Sequence, residues 1–326
     1  MKLIAELCQN HNGNFELLEK MILAAAESNA THVKIQNIYV KNLTLRPKFE
    51  EGVISNGETL EINRPFASEY ERLKNLELSD DIIKYFIKRC KDLGVIPLTT
   101  CFTRDDVSHC QALGFKEIKV ASYDCASFQM LRELDANFEH VYVSTGATFN
   151  DEIQKCSQIF ENRTDKLTFL HCVTKYPTEL KDFNLSRMQY LRKFTPNIGL
   201  SDHSLVDRDG VFATKCAIFL GATTIERHFT ILEKDETKDG PVSILPKHLK
   251  EIFDFSFKSR EEQERELSSI MHDWEQTLLG DINRILTHEE LLNRSYYRGR
   301  FASPRYKGNH DHRTMINNWE ETPLDV

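Results

Sequence analysis

Residues 197–210 read NIGLSDHSLVDRDG and residues 223–230 read TTIERHFT, so Ser201, Asp202 and His203 close one short apolar run while Glu226 and His228 close another. Neighbouring residues on an extended strand point to opposite faces, so Ser201 and His203 can share a face while Asp202 points away. This excludes a hydrolytic triad read in a row. It leaves Asp202 to anchor a loop or helix start, or to sit behind a ligand as an acceptor. His203 and His228, at consecutive strand ends, could hold one divalent ion through imidazole nitrogen and leave positions open for substrate or water. With few ligands and no cysteine among them, such a site would be exchangeable, unlike a structural zinc.

The same mapping places Glu6, Lys34, Gln36, Thr100, Lys119, Ser122, Ser144, Thr145, His171 and Thr174 at or just past the ends of other apolar runs. An unsatisfied buried polar group costs about 2 to 7 kcal/mol, so a purely structural interior would have no use for them there. Lys34 and Lys119 with Ser122, Ser144 and Ser201 would suit a small phosphate and carboxylate anion, the lysines as point charges and the hydroxyls as orienting donors. The structural alternative is that the lysines form ion pairs with Glu6 or Asp124. His171 reads as orienting or structural.

Eight apolar runs must position these groups: 3–7, 32–36, 95–100, 117–122, 141–146, 167–172, 197–202 and 223–228. Amphipathic segments at 15–28, 80–94, 105–114, 128–136, 150–162 and 209–221 lie between them, several ending in Gly or Asn as a helix C-terminus prefers. Strands with little alternation fit a parallel sheet buried on both faces. Eight βα units in roughly 250 residues predict an α/β fold, a closed (β/α)8 TIM barrel, in which strand ends converge on one catalytic face. No G-x-G-x-x-G follows a strand, which argues against a dinucleotide-binding sheet. Residues 37–79 form a long insertion after the second strand, read as an ordered lid or packing loop because of Tyr39, Arg64, Pro65 and Tyr70. Residues 245–257 read as a closing helix. The barrel is thus expected over 1–258, and 259–326 as a helical and irregular C-terminal extension, too small for its own core, packed on the barrel or on a partner subunit.

The net charge of −8 and the absence of a basic block exclude general nucleic-acid or membrane-surface binding, though not a locally basic pocket. No apolar stretch reaches bilayer length, and the N-terminus is too soon polar for a signal peptide. Eight cysteines without a C-x-x-C pair suit a reducing, cytoplasmic setting.

The segments AELCQNHNGNFELLEKMI, VKIQ, EIKVASYD, VSTGA, LHCVTKYPT, GLSDHS and IERHFT, in that order, resemble the N-acetylneuraminate (sialic acid) synthase family, which includes pseudaminic and legionaminic acid synthases. The likeness covers about residues 1–245. It implies a TIM barrel that condenses phosphoenolpyruvate with a 2-acetamido sugar aldehyde, such as N-acetylmannosamine, into a 2-keto-3-deoxy sugar acid and phosphate. It also implies a divalent ion, Mn²⁺, Mg²⁺ or Co²⁺, held by His203 and His228. By the same likeness Lys34, Thr100, Lys119, Ser122, Ser144 and Ser201 hold phosphoenolpyruvate, and Gln36, Asp124 and Tyr176 face the sugar. Glu6 is the candidate for assisting deprotonation of the attacking water, with Lys34 and Lys119 stabilising released charge. A homodimer is expected from the relatives.

Three departures bear on the sugar. Thr174 stands where the family has asparagine, Asp124 where it has glutamate, and Val242 where it has aspartate, a contact either lost or moved to Asp239. The family's C-terminal antifreeze-like domain, which delivers an arginine to the partner's sugar site, has no counterpart in this sequence; Arg294, Arg298 or Arg300 could substitute. The rival readings are a Schiff-base aldolase using Lys34 or Lys119, and a non-catalytic synthase-like binding subunit.

Overall fold

In the computed structural model, which describes residues 1–306, 308 and 311–324, the apolar runs become strands. They are β1 (Lys2–Cys8), β2 (His32–Gln36), β5 (Ile96–Cys101), β6 (Glu117–Val120), β7 (His140–Ser144), β8 (Leu167–Cys172), β9 (Ile198–Asp202) and β10 (Thr224–His228); β3 (Val53–Ser55) and β4 (Glu58–Glu61) form an antiparallel hairpin inside the insertion. The eight close in the order β1-β2-β5-β6-β7-β8-β9-β10 and back to β1, with every pairing parallel. This is the (β/α)8 barrel. The helices that follow begin on side-chain caps where the sequence supplies them: Asn14 accepts the Leu17 amide ahead of Phe15–Glu27, and Ser79 the Ile82 amide ahead of Asp80–Asp92.

The strands alternate more strictly than the sequence reading held. Outward residues such as Leu3, Ala5, Leu7, Val33, Ile35, Ile118, Val141, Phe169, Leu200 and Ile225 pack against the helices in one core. Inward residues form layers. At the bottom the Tyr142 hydroxyl accepts from Lys2 Nζ at 2.6 Å and donates to Glu117 at 2.5 Å. Ile4, Leu98, Tyr142 and Leu170 then make an apolar plug. Above it stand Glu6, Lys34, Thr100, Lys119, Ser144, Ser201 and Glu226, all buried. Apolar character outward and polar character only in the upper inward layer reconcile a two-side-buried sheet with a polar mouth.

Two helical readings differ from the structure. The segment 209–221 is interrupted near Gly210, whose φ of 55° breaks Val206–Asp209 from Phe212–Phe219. Between β8 and β9, where no helix was expected, lies the short helix Arg187–Leu191. It is one turn long, below what a periodic pattern reveals.

The insertion and the C-terminal segment are laced together over the barrel mouth. Leu43 bridges Phe301, the Thr44 amide donates to the Arg300 carbonyl and the Ala302 amide to that of Asn42. Ile38, Val40, Leu43, Leu73 and Phe301 form a small apolar cluster there, and Phe49 meets Tyr296 edge-on. Further along, Arg104 donates to the Glu320 and Thr322 carbonyls. The helix Arg260–Ile270 lies beside Phe212–Phe219, where buried Lys215 joins Glu251 and Glu266, each at 2.6 Å. No described helix is long and apolar enough to cross a membrane. All eight cysteines are unpaired and buried.

Candidate active site

The strand ends open into a cavity of about 500 Å³, a size typical of small-molecule sites. Its lining includes Glu6, Lys34, Gln36, Thr100, Lys119, Ser122, Asp124, Ser144, Tyr176, Ser201, His203 and His228, so twelve of the thirteen candidate substrate, catalytic and metal residues meet at one mouth, while Thr145 and His171 from the same strand ends do not line it. Thr174 is the exception. It is fully buried and packs behind Gly146, where an added Cβ would come within 2.6 Å of its methyl group. Its carbonyl instead accepts from Asn293, at 2.8 Å, and it is Asn293, from the C-terminal segment, that lines the cavity.

Lys34 and Lys119 approach different oxygens of a shared carboxylate, that of Glu226. Lys34 Nζ pairs with Glu6, donates to Thr100 Oγ1 at 3.2 Å and sits 3.5 Å from Glu226. Lys119 Nζ donates to Ser144 Oγ at 2.6 Å and lies 4.0 Å from Glu226, which also accepts from Ser201 at 2.7 Å. Of the ion pairs considered for the lysines, Lys34 with Glu6 is present, and the carboxylate near both ammonium groups is Glu226 and not Asp124. Burial pulls the Lys34 ammonium down to about 8, with Glu226 opposing and Lys119 reinforcing. Burial would raise the Glu226 carboxyl, but Lys119 and Lys34 override it and hold the group ionised, well below the usual carboxylate range.

His203 and His228 face each other with ring centroids 5.2 Å apart, and Tyr176 packs 4.3 Å from the His203 ring. Burial depresses both imidazoles, keeping them neutral and able to act as ligands. His228 Nδ1 is buried and has no hydrogen-bond partner, and in the tautomer with its lone pair there a cation would satisfy it, so the donor set fits a divalent ion. Asp202 turns away, as strand alternation requires, and pairs with Arg227 between Glu226 and His228 on β10; neither side chain is exposed. It also accepts from Thr214 Oγ1 at 2.6 Å and from the Ser204 amide at 2.8 Å, fixing the chain just past His203.

Asp124 is held by Ser127 at 2.8 Å and by Asn318 at 2.9 Å, and burial pushes it up to about 6. Asn318, from the tail, carried no signal in the sequence, since its role depends on a contact across 194 positions. The cations Arg64, Arg72, Lys238 and Arg300 also line the cavity. Glu69 pairs with both Arg72 and Arg300. Of the three tail arginines considered, Arg300 is the one on the cavity; Arg294 and Arg298 turn to Glu152. Val242 is buried, and Asp239 stands at the cavity in its neighbourhood, accepting from the Cys8 thiol. The predicted metal site contained no cysteine, yet Cys8 Sγ reaches this corner of the mouth.

The NeuB family profile matches residues 21–265 of the chain. A pseudaminic acid synthase of Campylobacter jejuni is 31% identical over 94% of this chain and 82% of its own length. An N,N'-diacetyllegionaminic acid synthase of Legionella pneumophila is 30% identical over 77% of this chain and 69% of its own. The crystal structure of a sialic acid synthetase from Leptospira borgpetersenii, solved with citrate, superimposes with a TM-score of 0.65 at 25% identity, covering 89% of this chain and 90% of that one.

Proposed function

The chain belongs to the NeuB family, and from that premise we propose that it condenses phosphoenolpyruvate with an acetamido or related aldose to give a sialic-acid-like 2-keto-3-deoxy sugar acid and phosphate. As a family member it is a transferase that forms a carbon–carbon bond. The observation that carries the substrate reading is the convergence of Lys34, Lys119, Thr100, Ser144 and Ser201 in one cavity beside the unpartnered His228 nitrogen.

In this reading Lys34 and Lys119 exchange part of their pairing with Glu6 and Glu226 for the phosphate and carboxylate of phosphoenolpyruvate, while Thr100, Ser122, Ser144 and Ser201 orient its oxygens. Gln36, Asp124 and Tyr176 position the sugar aldehyde, so that C3 of the enol lies against the carbonyl carbon, where placement alone supplies much of the acceleration. A divalent ion held at His203 and His228 would polarise the aldehyde oxygen as a Lewis acid. The enol π-electrons form the new carbon–carbon bond as the carbonyl π-pair moves onto the aldehyde oxygen, which takes up a proton and becomes a hydroxyl, and water adds at C2. Glu6, whose oxygens rest against Lys34 and the Cys8 amide, takes the water proton. The C2–O bond to phosphate then breaks, C2 becomes the ketone, and Lys34 and Lys119 stabilise the departing dianion. Residues 1–258 supply the barrel, and the described residues beyond 258 supply part of its roof.

Phosphate release from phosphoenolpyruvate, measured against a panel of acetamido and plain aldoses with Mn²⁺, tests this directly. Turnover should require an aldose and stop in EDTA. Turnover that persists in EDTA would defeat the metal-dependent reading. The depressed Lys34 also suits a Schiff-base aldolase; borohydride trapping of a lysine adduct would favour that chemistry instead.

A further inference from the structure

We propose that Cys8 and Asp239 join His228 in ligating the divalent ion, so that this chain carries a mixed sulfur, nitrogen and oxygen site. The inference rests on the reading that an ion binds at His228, and adds to it which other groups hold that ion. One ligand atom from each of the three residues lies within 4.8 Å of the other two. Cys8 Sγ donates to Asp239 Oδ2 at 2.9 Å, and His228 Nδ1 lies 3.8 Å from the same oxygen. Ligands bonded at about 2.0–2.3 Å to one ion stand roughly 3–4 Å apart, so the three atoms need close by about an ångström at most.

Two independent observations point the same way. His228 is 8% exposed, and its Nδ1, aimed into this corner, has no hydrogen-bond partner. Cys8 has a φ of 51°, in the left-handed region that a residue with a Cβ rarely adopts, and the β1–β2 register shifts between Glu6 and Cys8. Glu6 Oε1 accepts the Cys8 amide at 2.6 Å and holds that turn. Irregularities of this kind at a strand end re-aim a side chain, and backbone held in a sparsely populated region concentrates at functional sites. Here the bend brings Sγ to Asp239.

In the metal-free protein the thiol proton occupies the place between sulfur and carboxylate where a cation would sit. When the sulfur–metal bond forms, that proton leaves to solvent and the thiolate and carboxylate both face the ion. Together with His203 these make four protein ligands, and an octahedral ion would keep positions open for substrate oxygens. A thiolate also moves the preference away from Mg²⁺, which favours oxygen donors, toward softer ions such as Co²⁺ and Zn²⁺.

The full-length protein, stripped with chelator and titrated with Co²⁺, gives the test by electronic absorption. A thiolate-to-cobalt charge-transfer band should develop in the wild type, persist in Cys172→Ser and vanish in Cys8→Ser. Asp239→Asn should weaken Co²⁺ binding by about tenfold or more. Cys172 is the necessary control, because its sulfur lies 3.8 Å from His203 Nδ1. X-ray absorption on the wild type needs no variant to fold and should find one sulfur scatterer at about 2.3 Å. Co²⁺ bound without sulfur, or a band lost in Cys172→Ser and kept in Cys8→Ser, overturns the proposal while leaving metal-dependent condensation standing. No Co²⁺ binding at all overturns both.

Discussion

Lys34 sits between Glu6 and Glu226, and burial makes its charge easier to lose than an ordinary lysine's. With burial pulling it to about 8, the ammonium is protonated below that pH and neutral above it. The KM for phosphoenolpyruvate should therefore climb as pH rises through about 8, in initial-rate assays at saturating sugar. Lys119→Ala should raise the same constant at least about tenfold, given two charge-assisted contacts to the anion at roughly 1.5–3 kcal/mol each. Asp124 titrates the other way. Burial lifts it to about 6, so the folded protein favours its neutral form, and stability tied to that form is present at low pH and lost as pH rises from about 4 through about 6. Asp124→Asn, which keeps the oxygen facing Ser127 and Asn318, should be more stable than wild type at pH 7 by on the order of 2 kcal/mol, with the gap closing by pH 4 in urea titrations. Residue types alone marked these groups in the sequence. Their pairing did not show, because it depends on which neighbours face inward.

At the scale of elements, strand alternation explains both what could be read and what could not. Ser201 and His203 on one face and Asp202 on the other follow from a period of two. That Asp202 meets Arg227 follows from the same period applied to the adjacent β10, where Glu226 and His228 face in and Arg227 out; the register of β9 against β10 aligns Asp202 with Arg227. Asp202→Ala should cost about 3–5 kcal/mol by chemical denaturation, since it leaves a buried guanidinium without its counter-charge. Replacing both residues with apolar ones should recover most of that loss. The missed helix at 187–191 and the division at Gly210 are local events shorter than the window over which periodicity speaks.

For the whole molecule, the barrel was legible because eight units repeat one physical pattern, whereas the roof was not, because it joins segments far apart in the chain. The insertion reaches Arg300 and Phe301, and the tail reaches Asp124 through Asn318. Nothing in the spacing of 37–79 or 287–324 announces the other. Asn318→Ala should raise the KM for the sugar while leaving that for phosphoenolpyruvate within about twofold, because the lost amide contacts support Asp124 and the Phe102 carbonyl and none of the groups read as holding phosphoenolpyruvate; equal changes in both constants would place Asn318 in general folding instead. Arg300→Ala, by contrast, removes one of two partners of Glu69 and should also lower the melting temperature.

The placement of Asn318 has a consequence for biosynthesis. A ribosome finishes β10 well before it makes the residue that buttresses Asp124. A nascent chain can thus close its eight-stranded cylinder while Asp124 still lacks its buttress, and full affinity for the sugar should appear only once the segment carrying Asn318 has wrapped back over the opening.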